Sequence, residues 1–478
     1  MSGKKVVDQV FFATGSNERA RAPEGWEAVS WQDVRASSDD LNALASPASP
    51  PGVWAVDLLT MVTAVYLADR VATYRDLRSF VPWQREIHLD VPVQDPDRWQ
   101  GPALSKLQSL LGYLTGDVWH ITARRGVTFE PAVQGAYAGE WRAQRVALFS
   151  GGLDSTGAAA YLAAHASGPQ LLVSYDHASL ATTQRRVVSA LRRMARAPIE
   201  HRSLSYSLST QATSRMRGND SSFRTRALRF IGTGVYVAAA HRLHSLIVPE
   251  NGQLAVNPPL DASRIGYCST RSVHPQTLFL VNQLISELGG DVAVENSLLE
   301  KTKGEVCRLA LESGLDDEAL LLTNSCSKPF SDQRAGNTHC GACFACLVRK
   351  SGLRAAGVAD RTKYVHSLRD HPLDNTLADN VRALALWLRR AFTKVDLVAD
   401  LPLPPGVADT VMPTLQRGRR ELAMMLEAES GIGTLATPTA VRASVDSTAE
   451  DGHDPDRGAI PVGVPAGRRH TISSRPKI

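Results

Sequence analysis

Cysteine is scarce in this sequence, with six residues among 478. That number excludes a disulfide-stapled scaffold, since such scaffolds are short and dense in cysteine. Long apolar runs are also missing, and no stretch reaches the ~20 apolar residues that a membrane-spanning helix needs. The residues after Met1 lack the apolar segment of a secretory signal. We therefore expect a globular, cytoplasmic protein without a membrane partner.

Net charge is modest, at +5, but it is unevenly spread. Residues 185–229 contain eleven arginines and only two acidic residues, Glu200 and Asp220. Such a stretch could contact phosphates, which makes nucleic acid an alternative partner here. Its part from Arg185 to Arg196 has the pattern of an amphipathic helix. A solvated basic helix face explains the same residues.

The chain divides into four parts by pattern. Residues 1–140 mix helical and strand patterns and predict an N-terminal α+β accessory domain. Residues 145–358 alternate strands and helices, which predicts an α/β domain with a doubly wound parallel sheet. Residues 359–430 predict a helical extension. Residues 431–478 contain few large apolar side chains, so we expect a disordered tail.

One strand of the N-terminal part contains a proline that predicts where the strand lies in its sheet. Glu86–Val93 alternates apolar and polar residues, as a half-buried strand does. Proline has no N–H for the ladder, so Pro92 predicts that this strand lies at a sheet edge.

Residues 146–156 change from an apolar run to small polar residues, as a strand–loop–helix would. Glycines let the backbone turn tightly and approach a ligand, and the helix start offers free N–H groups to an anion. The loop lacks the Gly-Lys-Ser/Thr of a Walker A motif. It suits the pyrophosphate of ATP. The predicted ATP-binding residues here are Ser150, Gly151, Gly152, Leu153, Asp154, Ser155 and Thr156.

Two arginines, Arg224 and Arg226, stand just before an apolar helical stretch. The helix dipole disfavours cations at that end, so we interpret them as partners of a phosphate or carboxylate. We assign Arg224 to catalysis and Arg226 to the substrate, with surface ion pairs as the alternative. Lys303, near another helix start, could neutralise the charge on leaving pyrophosphate. An incidental lysine is the alternative there.

Four cysteines cluster late in the chain, with the spacing C-x13-C-x2-C-x2-C. Four thiolates with close spacings suit a closed, structural zinc site. A [4Fe–4S] cluster is the alternative, because four cysteines also hold one. The predicted ligands are Cys326, Cys340, Cys343 and Cys346. Cys268 and Cys307 lie outside the cluster and are interpreted as ordinary thiols.

The SGGLDS loop, the Thr302-Lys-Gly-Glu segment and the terminal cysteines together resemble the 7-cyano-7-deazaguanine synthase (QueC) family of PP-loop ATP pyrophosphatases. The resemblance covers residues 145–358. It implies ATP with Mg²⁺, and adenylation of the carboxylate of 7-carboxy-7-deazaguanine. Ammonia then gives an amide, which a second ATP dehydrates to a nitrile. Asp154 and Ser155 would be catalytic, and the adenine would lie at Ser174, Tyr175 and Asp176.

The chain departs from the housekeeping family in its long flanking regions and in the segments 249–260 and 269–275. These features look closer to the QueC-like proteins of bacterial anti-phage operons, of the Qat kind. That resemblance implies partner proteins from the same operon and an acyl acceptor that is a protein or nucleic-acid amine. Glu250, Arg271 and His274 become candidates for substrate or acceptor recognition, with a structural role in loops as the alternative. The oligomeric state stays open.

Two other functions compete with the ligase. One is RNA modification by a PP-loop enzyme, such as thiolation, although that chemistry usually uses cysteines near the loop. The other is a non-catalytic nucleotide-binding partner in a defence complex. The intact Gly151, Gly152, Asp154 and Ser155 argue against the latter.

Overall fold

Two sheets of parallel strands organise the computed structural model of this chain. The residues that the structure describes are 6–34, 41, 51–73, 84–127, 142–176, 178–205, 207–215, 222–260, 271–327, 339–368, 376–400 and 402–430. The strands are β1 Gln9–Phe12, β2 Glu27–Val29, β3 Glu86–Val93, β4 Val118–Arg125, β5 Arg145–Leu148, β6 Gln170–Asp176, β7 Ile199–Ser205, β8 Ser245–Ile247 and β9 Ala293–Glu295. The α-helices are α1 Ser16–Arg19, α2 Val53–Val71, α3 Pro102–Thr115, α4 Leu153–His165, α5 Ala178–Met194, α6 Thr210–Arg215, α7 Arg226–Ala240, α8 Gly252–Val256, α9 Pro275–Glu287, α10 Lys303–Glu312, α11 Asp317–Leu322, α12 Phe344–Ala355, α13 Thr376–Arg389, α14 Lys394–Asp400 and α15 Val407–Ser430.

The N-terminal sheet has the strand order β2-β1-β3-β4, and its described pairings are all parallel. The prediction of an α+β domain is therefore wrong, and this part is α/β. An alternating pattern shows that one face of a strand is buried, but it does not give the direction of the neighbouring strand. We refer to these four strands as the N-terminal sheet.

The edge position predicted from Pro92 is also wrong, because β3 lies between β1 and β4. The pairing with β1 ends at Asp90, opposite Phe11, so Pro92 lies beyond it. The carbonyl of Phe12 instead accepts a hydrogen bond of 2.8 Å from Arg124 Nη2. A guanidinium thus supplies the donor that a proline at the end of this ladder cannot.

The second sheet, here called the catalytic sheet, has the order β7-β6-β5-β8-β9 and parallel pairing throughout. The order reverses between β5 and β8, as in a doubly wound fold. Successive residues of its strands enter two different hydrophobic cores, so both faces are covered. The pairs are Val146 and Ala147, Leu171 and Leu172, and Leu246 and Ile247.

Helices α2 and α7 join the N-terminal and catalytic parts through one core. They approach closely, since a Cβ on Gly232 would lie 2.6 Å from Val62 Cγ2. Asp69 of α2 also caps α7, because its Oδ2 accepts hydrogen bonds from the Thr225 amide at 3.2 Å and hydroxyl at 2.9 Å. Arg85 pairs with Asp69 from the other side in a buried ion pair. The two sheets therefore do not fold around separate cores.

The C-terminal helices α13, α14 and α15 pack around a further core, together with Leu347 and Val348 of α12. Within the predicted helical extension, residues 359–430, the described helices begin at Thr376, and residues 359–368 form no helix. The predicted disordered tail, 431–478, lies outside the described residues. Among the described helices, none has both the length and the apolar character needed to cross a membrane.

Candidate active site

The glycine loop connects β5 to α4 at the carboxyl edge of the catalytic sheet. Gly151 has φ +80°, a left-handed conformation that favours glycine. Ser155 Oγ accepts a hydrogen bond of 3.2 Å from the Gly151 amide and donates one of 3.1 Å to the Gly152 carbonyl. No side chain caps the start of α4. Its first N–H groups therefore remain available to an anion.

Close packing behind the loop explains why both glycines are needed. A Cβ on Gly151 would lie 2.9 Å from Gln184 Cγ, and one on Gly152 would lie 3.1 Å from the Asn324 carbonyl oxygen. The hydroxyl of Thr156 is buried and has no hydrogen-bond partner among the described residues. A compact backbone cradle with an unsatisfied hydroxyl beside it fits a phosphate-bearing ligand such as ATP.

A buried charged cluster lies at the reversal point of the sheet. Lys303 Nζ forms an ion pair with Asp154 Oδ2. Asn251 Nδ2 donates to the same Asp154 oxygen at 3.1 Å and to Glu250 Oε1 at 3.2 Å. The chain thus brings together the helix after β5, the turn after β8 and the start of α10. Three predicted site residues, Asp154, Glu250 and Lys303, meet here.

Burial and mutual contact set the charges of this cluster. Burial opposes ionisation of Asp154, but Lys303 and the hydrogen bonds outweigh it, so the pKa of Asp154 is lowered. Burial and the adjacent Asp154 charge raise the pKa of Glu250 well above its usual value. Of the two carboxyls, Glu250 therefore binds a proton more tightly, and Asp154 is the one that pairs with the lysine.

Several neighbours hold Lys303 in place. Thr302 caps α10, with its hydroxyl accepting from the Glu305 amide at 3.1 Å. Gln253 Oε1 accepts a hydrogen bond of 2.9 Å from the Lys303 amide. From α15, Glu421 accepts from the Thr302 hydroxyl at 2.5 Å and from the Gly304 amide at 3.2 Å. The C-terminal helices therefore support the lysine turn directly.

The predicted adenine edge lies at the end of β6. The Ser174 hydroxyl donates to the Phe149 carbonyl at 2.5 Å and also contacts His201 Nε2 at 2.7 Å. Burial and Arg192 lower the pKa of His201 to about 4, so this imidazole is neutral. Tyr175 packs edge-on against Phe230, with ring centroids 5.3 Å apart. Asp176 ends β6 opposite Ser205.

Gln184 of α5 ties this edge to the glycine loop. Its side-chain amide donates to the carbonyl of Ser150 at 3.2 Å and to that of Tyr175 at 3.3 Å. The start of the basic helix is therefore part of the site. Further along α5, Val187, Val188 and Leu191 are buried while its arginines are exposed. The predicted amphipathic helix is confirmed.

Three further predicted site residues lie elsewhere, against α3: Arg224, assigned to catalysis, and Arg271 and His274, assigned to the substrate. Arg224 Nη1 donates to the Thr115 carbonyl. Arg271 Nη1 donates to the Tyr113 carbonyl at 2.7 Å, and the Tyr113 hydroxyl contacts His274 Nδ1 at 2.8 Å. Burial, with Arg271, lowers the pKa of His274 to about 3, and this neutral ring also caps α9. Their described hydrogen bonds do not reach the glycine loop.

Arg226 begins α7, with its guanidinium carbon 6.0 Å from the centre of the Phe223 ring. Its side chain is exposed. The assignments of Arg224, Arg226, Arg271 and His274 to catalysis or substrate stay predictions.

The four predicted cysteine ligands do come together, with their sulfur atoms all within 4.8 Å of one another. Cys340 Sγ and Cys346 Sγ are 3.8 Å apart. Zn–S bonds of about 2.3 Å in a tetrahedron require sulfurs ~3.8 Å apart, so the cluster is compatible with a structural zinc. An iron–sulfur cubane would need more room between the sulfurs. Hydrogen bonds among the four thiols lower the pKa of Cys340 and Cys343 and raise the pKa of Cys326 and Cys346.

Neighbouring groups do not compete for this metal site. His339 Nε2 accepts a hydrogen bond of 3.1 Å from the Ser325 amide, so this nitrogen is already engaged. Cys307 is buried apart from the cluster, and burial raises its pKa to about 12. Cys268 lies outside the described residues. The cysteine cluster also connects to the loop, because the Asn324 amide donates to the Gly151 carbonyl at 3.0 Å.

Comparison with known proteins adds sequence relationships to this geometry. Residues 272–357 match the family model described as queuosine biosynthesis protein QueC. That segment contains Lys303 and the three closely spaced cysteines. Over that segment the chain is similar to the QueC family. The chain extends well beyond the matched segment on both sides.

Several curated relatives carry the name 7-cyano-7-deazaguanine synthase. The protein of Acinetobacter baylyi is 28% identical over 232 residues, covering 47% of this chain and 96% of that protein. The protein of Syntrophobacter fumaroxidans is 40% identical over 74 residues, covering 16% of this chain and 29% of that protein. The protein of Methanocaldococcus jannaschii is 40% identical over 76 residues, covering 16% of this chain and 32% of that protein. The two shorter alignments thus span under a third of those relatives.

Four further residues contact the predicted site residues or their chain neighbours but were not predicted from the sequence: Gln184, Asn251, Gln253 and Glu421. Asn251-Gly252 after β8 is a turn signal that could have indicated Asn251. Gln184 sits on a helix predicted only for its basic face. Glu421 has no local signal, because its role depends on α15 reaching α10.

Proposed function

We propose that this chain is an ATP-dependent ligase that adenylates the carboxylate of 7-carboxy-7-deazaguanine, or of a similar deazapurine, and transfers the acyl group to an amine. The observation that carries the proposal is the ion pair of Asp154 and Lys303 beside an uncapped helix start. A phosphate cradle and a buried cation lie side by side there. The relationship to 7-cyano-7-deazaguanine synthases supports the substrate class.

In the proposed reaction, a carboxylate oxygen attacks the α-phosphorus of ATP. The bond to the bridging oxygen breaks and pyrophosphate leaves. The first N–H groups of α4 would hold the pyrophosphate, and Lys303 would offset the charge that builds on it. An amine nitrogen then attacks the acyl carbon, loses a proton and expels AMP. Positioning and charge stabilisation carry this chemistry.

ATP would arrive with Mg²⁺, which prefers oxygen ligands. The site offers the carboxylate of Asp154, whose Oδ1 accepts no hydrogen bond from an amide, amine or alcohol group of the described residues. Bound Mg²⁺ would neutralise phosphate charge. A structural zinc at Cys326, Cys340, Cys343 and Cys346 would fix the segment that packs on Gly151, with no part in the chemistry.

The finer assignment is to the QueC-like proteins of anti-phage systems, acting in the cytoplasm with partner proteins of the same operon. The large N-terminal sheet and the helices α13 to α15 support partner contacts, because the matched family segment includes neither. In this setting the acceptor would be a protein amine, with ammonia as the alternative, and the second, nitrile-forming step would be absent.

The test is mass spectrometry of the full chain incubated with ATP, Mg²⁺, 7-carboxy-7-deazaguanine and ammonium. We expect AMP, pyrophosphate and the amide, whereas the nitrile would contradict the absence of the second step. Hydroxylamine in place of ammonium should trap the acyl-adenylate as a hydroxamate, even when the natural acceptor is a protein. D154N should abolish AMP formation. D97N changes an exposed aspartate and should match the unaltered chain.

Substrate-dependent pyrophosphate–ATP exchange separates the remaining outcomes. Exchange with hydroxamate but no amide would support adenylation and assign the acceptor to a protein amine. A folded, zinc-loaded chain that shows neither exchange nor AMP would overturn the proposal and favour RNA or a non-catalytic role.

A further inference from the structure

Outside the candidate active site, a second cluster of metal-ligating side chains lies on the N-terminal sheet. His88 of β3 pairs in register with His120 of β4. Their rings stack with centroids 4.5 Å apart and planes at 17°. Glu86 comes two residues before His88, so its side chain projects from the same face. One carboxylate and two imidazoles thus occupy one patch of this sheet.

The ligand atoms of these residues converge. Glu86 Oε1 lies 3.0 Å from His120 Nε2 and 3.9 Å from His88 Nε2. All three side chains offer ligand atoms within 4.8 Å of one another. Bonds of about 2.0–2.1 Å to a tetrahedral ion place ligands ~3.3 Å apart. The separations of 3.0 Å and 3.9 Å lie on either side of that value.

The sheet fixes the backbone of these three residues and leaves their side chains partly exposed. β3 and β4 pair over eight consecutive positions, from Glu86↔Val118 to Val93↔Arg125, which makes a rigid platform. The alternate residues Ile87 and Leu89 are buried in the core. Glu86, His88 and His120 have side chains 51%, 42% and 47% exposed. Within the described part of the chain, their side-chain polar contacts are with one another.

The donor set selects the class of ion. Imidazole nitrogen favours zinc, cobalt, nickel or copper, whereas Mg²⁺ and Ca²⁺ take oxygen ligands. Three protein ligands leave a fourth position for water, unlike the closed site of four cysteines. We propose that Glu86, His88 and His120 form a second binding site for a late divalent transition metal, with zinc as its occupant. This site is independent of the proposed ligase function.

Metal stoichiometry of the full, untagged chain tests the site. The protein is stripped of metal, reduced, and titrated with zinc against a chromophoric competitor of micromolar affinity. We expect the unaltered chain to take up two zinc ions, and H120A and E86Q to take up one. H244A is the matched control, because His244 is an exposed histidine outside the cluster, with a side chain 79% exposed. It should take up two.

Cobalt identifies which ion is lost. The cysteine site gives intense thiolate charge-transfer absorption, whereas two imidazoles and a carboxylate give visible absorption without it. H120A should therefore lose visible intensity and retain the thiolate bands, with unchanged circular dichroism. One zinc in the unaltered chain, or two in the double variant H88A/H120A, would overturn the proposal. Neither readout depends on ligase activity.

Discussion

Both parallel sheets of this chain have a point in their strand order where a ligand could bind, but the groups at the two points differ. In both, the strand order reverses next to a strand that ends in a turn and a helix: between β5 and β8, and between β1 and β3. Doubly wound folds bind ligands at such points. The catalytic sheet places two glycines and an uncapped helix of thirteen residues there, whereas the N-terminal sheet has one glycine, Gly15, and a helix of four residues.

The corresponding point of the N-terminal sheet is filled by its own side chains. The Thr14 amide donates to Glu18 at 2.5 Å, and Glu18 pairs with Arg124 at 3.0 Å. Arg124 also pairs with Asp90 at 2.5 Å. The helix after β1, Ser16–Arg19, has four residues and little dipole. Strand order therefore provides a place for a ligand, and unsatisfied donors decide whether the place is used.

The largest expected effect comes from removing the cation of the catalytic sheet. K303M should slow substrate-dependent AMP formation about 10²–10³-fold, as loss of one charge-stabilising group does. Lys301, two residues earlier, has no described contact with Asp154, so K301M should stay near the activity of the unaltered chain. The measurement is the initial rate of AMP release. Equal losses in both variants would contradict the role of Lys303.

A pair of glycine substitutions tests the comparison directly. G151A forces a Cβ into the left-handed region against Gln184, at a cost of ~1–3 kcal/mol, and should weaken ATP binding about 5- to 150-fold. Gly15 stands in the equivalent turn after β1, with φ −170° and open space around its Cβ direction. G15A should leave the affinity unchanged in calorimetry. A loss of ATP binding in G15A would indicate that the nucleotide binds at the N-terminal sheet instead.

The pH dependence of stability should report Glu250. Its ordinary pKa is 4.5, and burial together with Asp154 raises the pKa in the folded chain. Above pH 4.5 the unfolded chain releases this proton while the folded chain keeps it. The free energy of unfolding should therefore fall with rising pH, by at most about 1.4 kcal/mol per pH unit, until the folded pKa is passed.

Urea unfolding of the metal-loaded chain without ATP, between pH 5 and pH 8, measures this slope. E250Q should flatten the slope, because the amide does not titrate. Glu295 is an exposed strand residue, and E295Q should retain it. An unchanged slope in E250Q would show that Glu250 ionises normally.

The smallest expected effect concerns the support that α15 gives to α10. Glu421 is buried and caps the start of the helix that carries Lys303. E421Q keeps the shape but turns one acceptor into a donor, so the free energy of unfolding should fall by ~1 kcal/mol. The AMP-forming rate should fall less than in K303M. E427Q, on the exposed face of α15, should change neither quantity.

Sequence patterns predicted the parts of this molecule that are local. The glycine loop, the helix after it and the cysteine spacing each depend on residues close together in the chain, and the structure has all three. Lys303 was also predicted from its helix start. Its pairing with Asp154, 149 residues away, was not, because no periodic pattern encodes which loops meet across a sheet.

Long-range packing also explains the wrong predictions. Pro92 suggested an edge strand because proline has no N–H to donate to a neighbouring strand. In the structure, the guanidinium of Arg124 donates to the Phe12 carbonyl in its place. Parallel pairing of the N-terminal strands could not be read from their alternation. Glu421 was not predicted because a single glutamate in a helical segment does not indicate whether its face of the helix is exposed or buried.

The close contact of Gly232 with Val62 limits how far the two parts of this chain can be separated. A side chain at residue 232 would push α2 away from α7, and a chain cut between the two sheets would expose the apolar flanks of both helices to water. The N-terminal part therefore shares a core with the catalytic part, and we expect neither part to fold as an independent module.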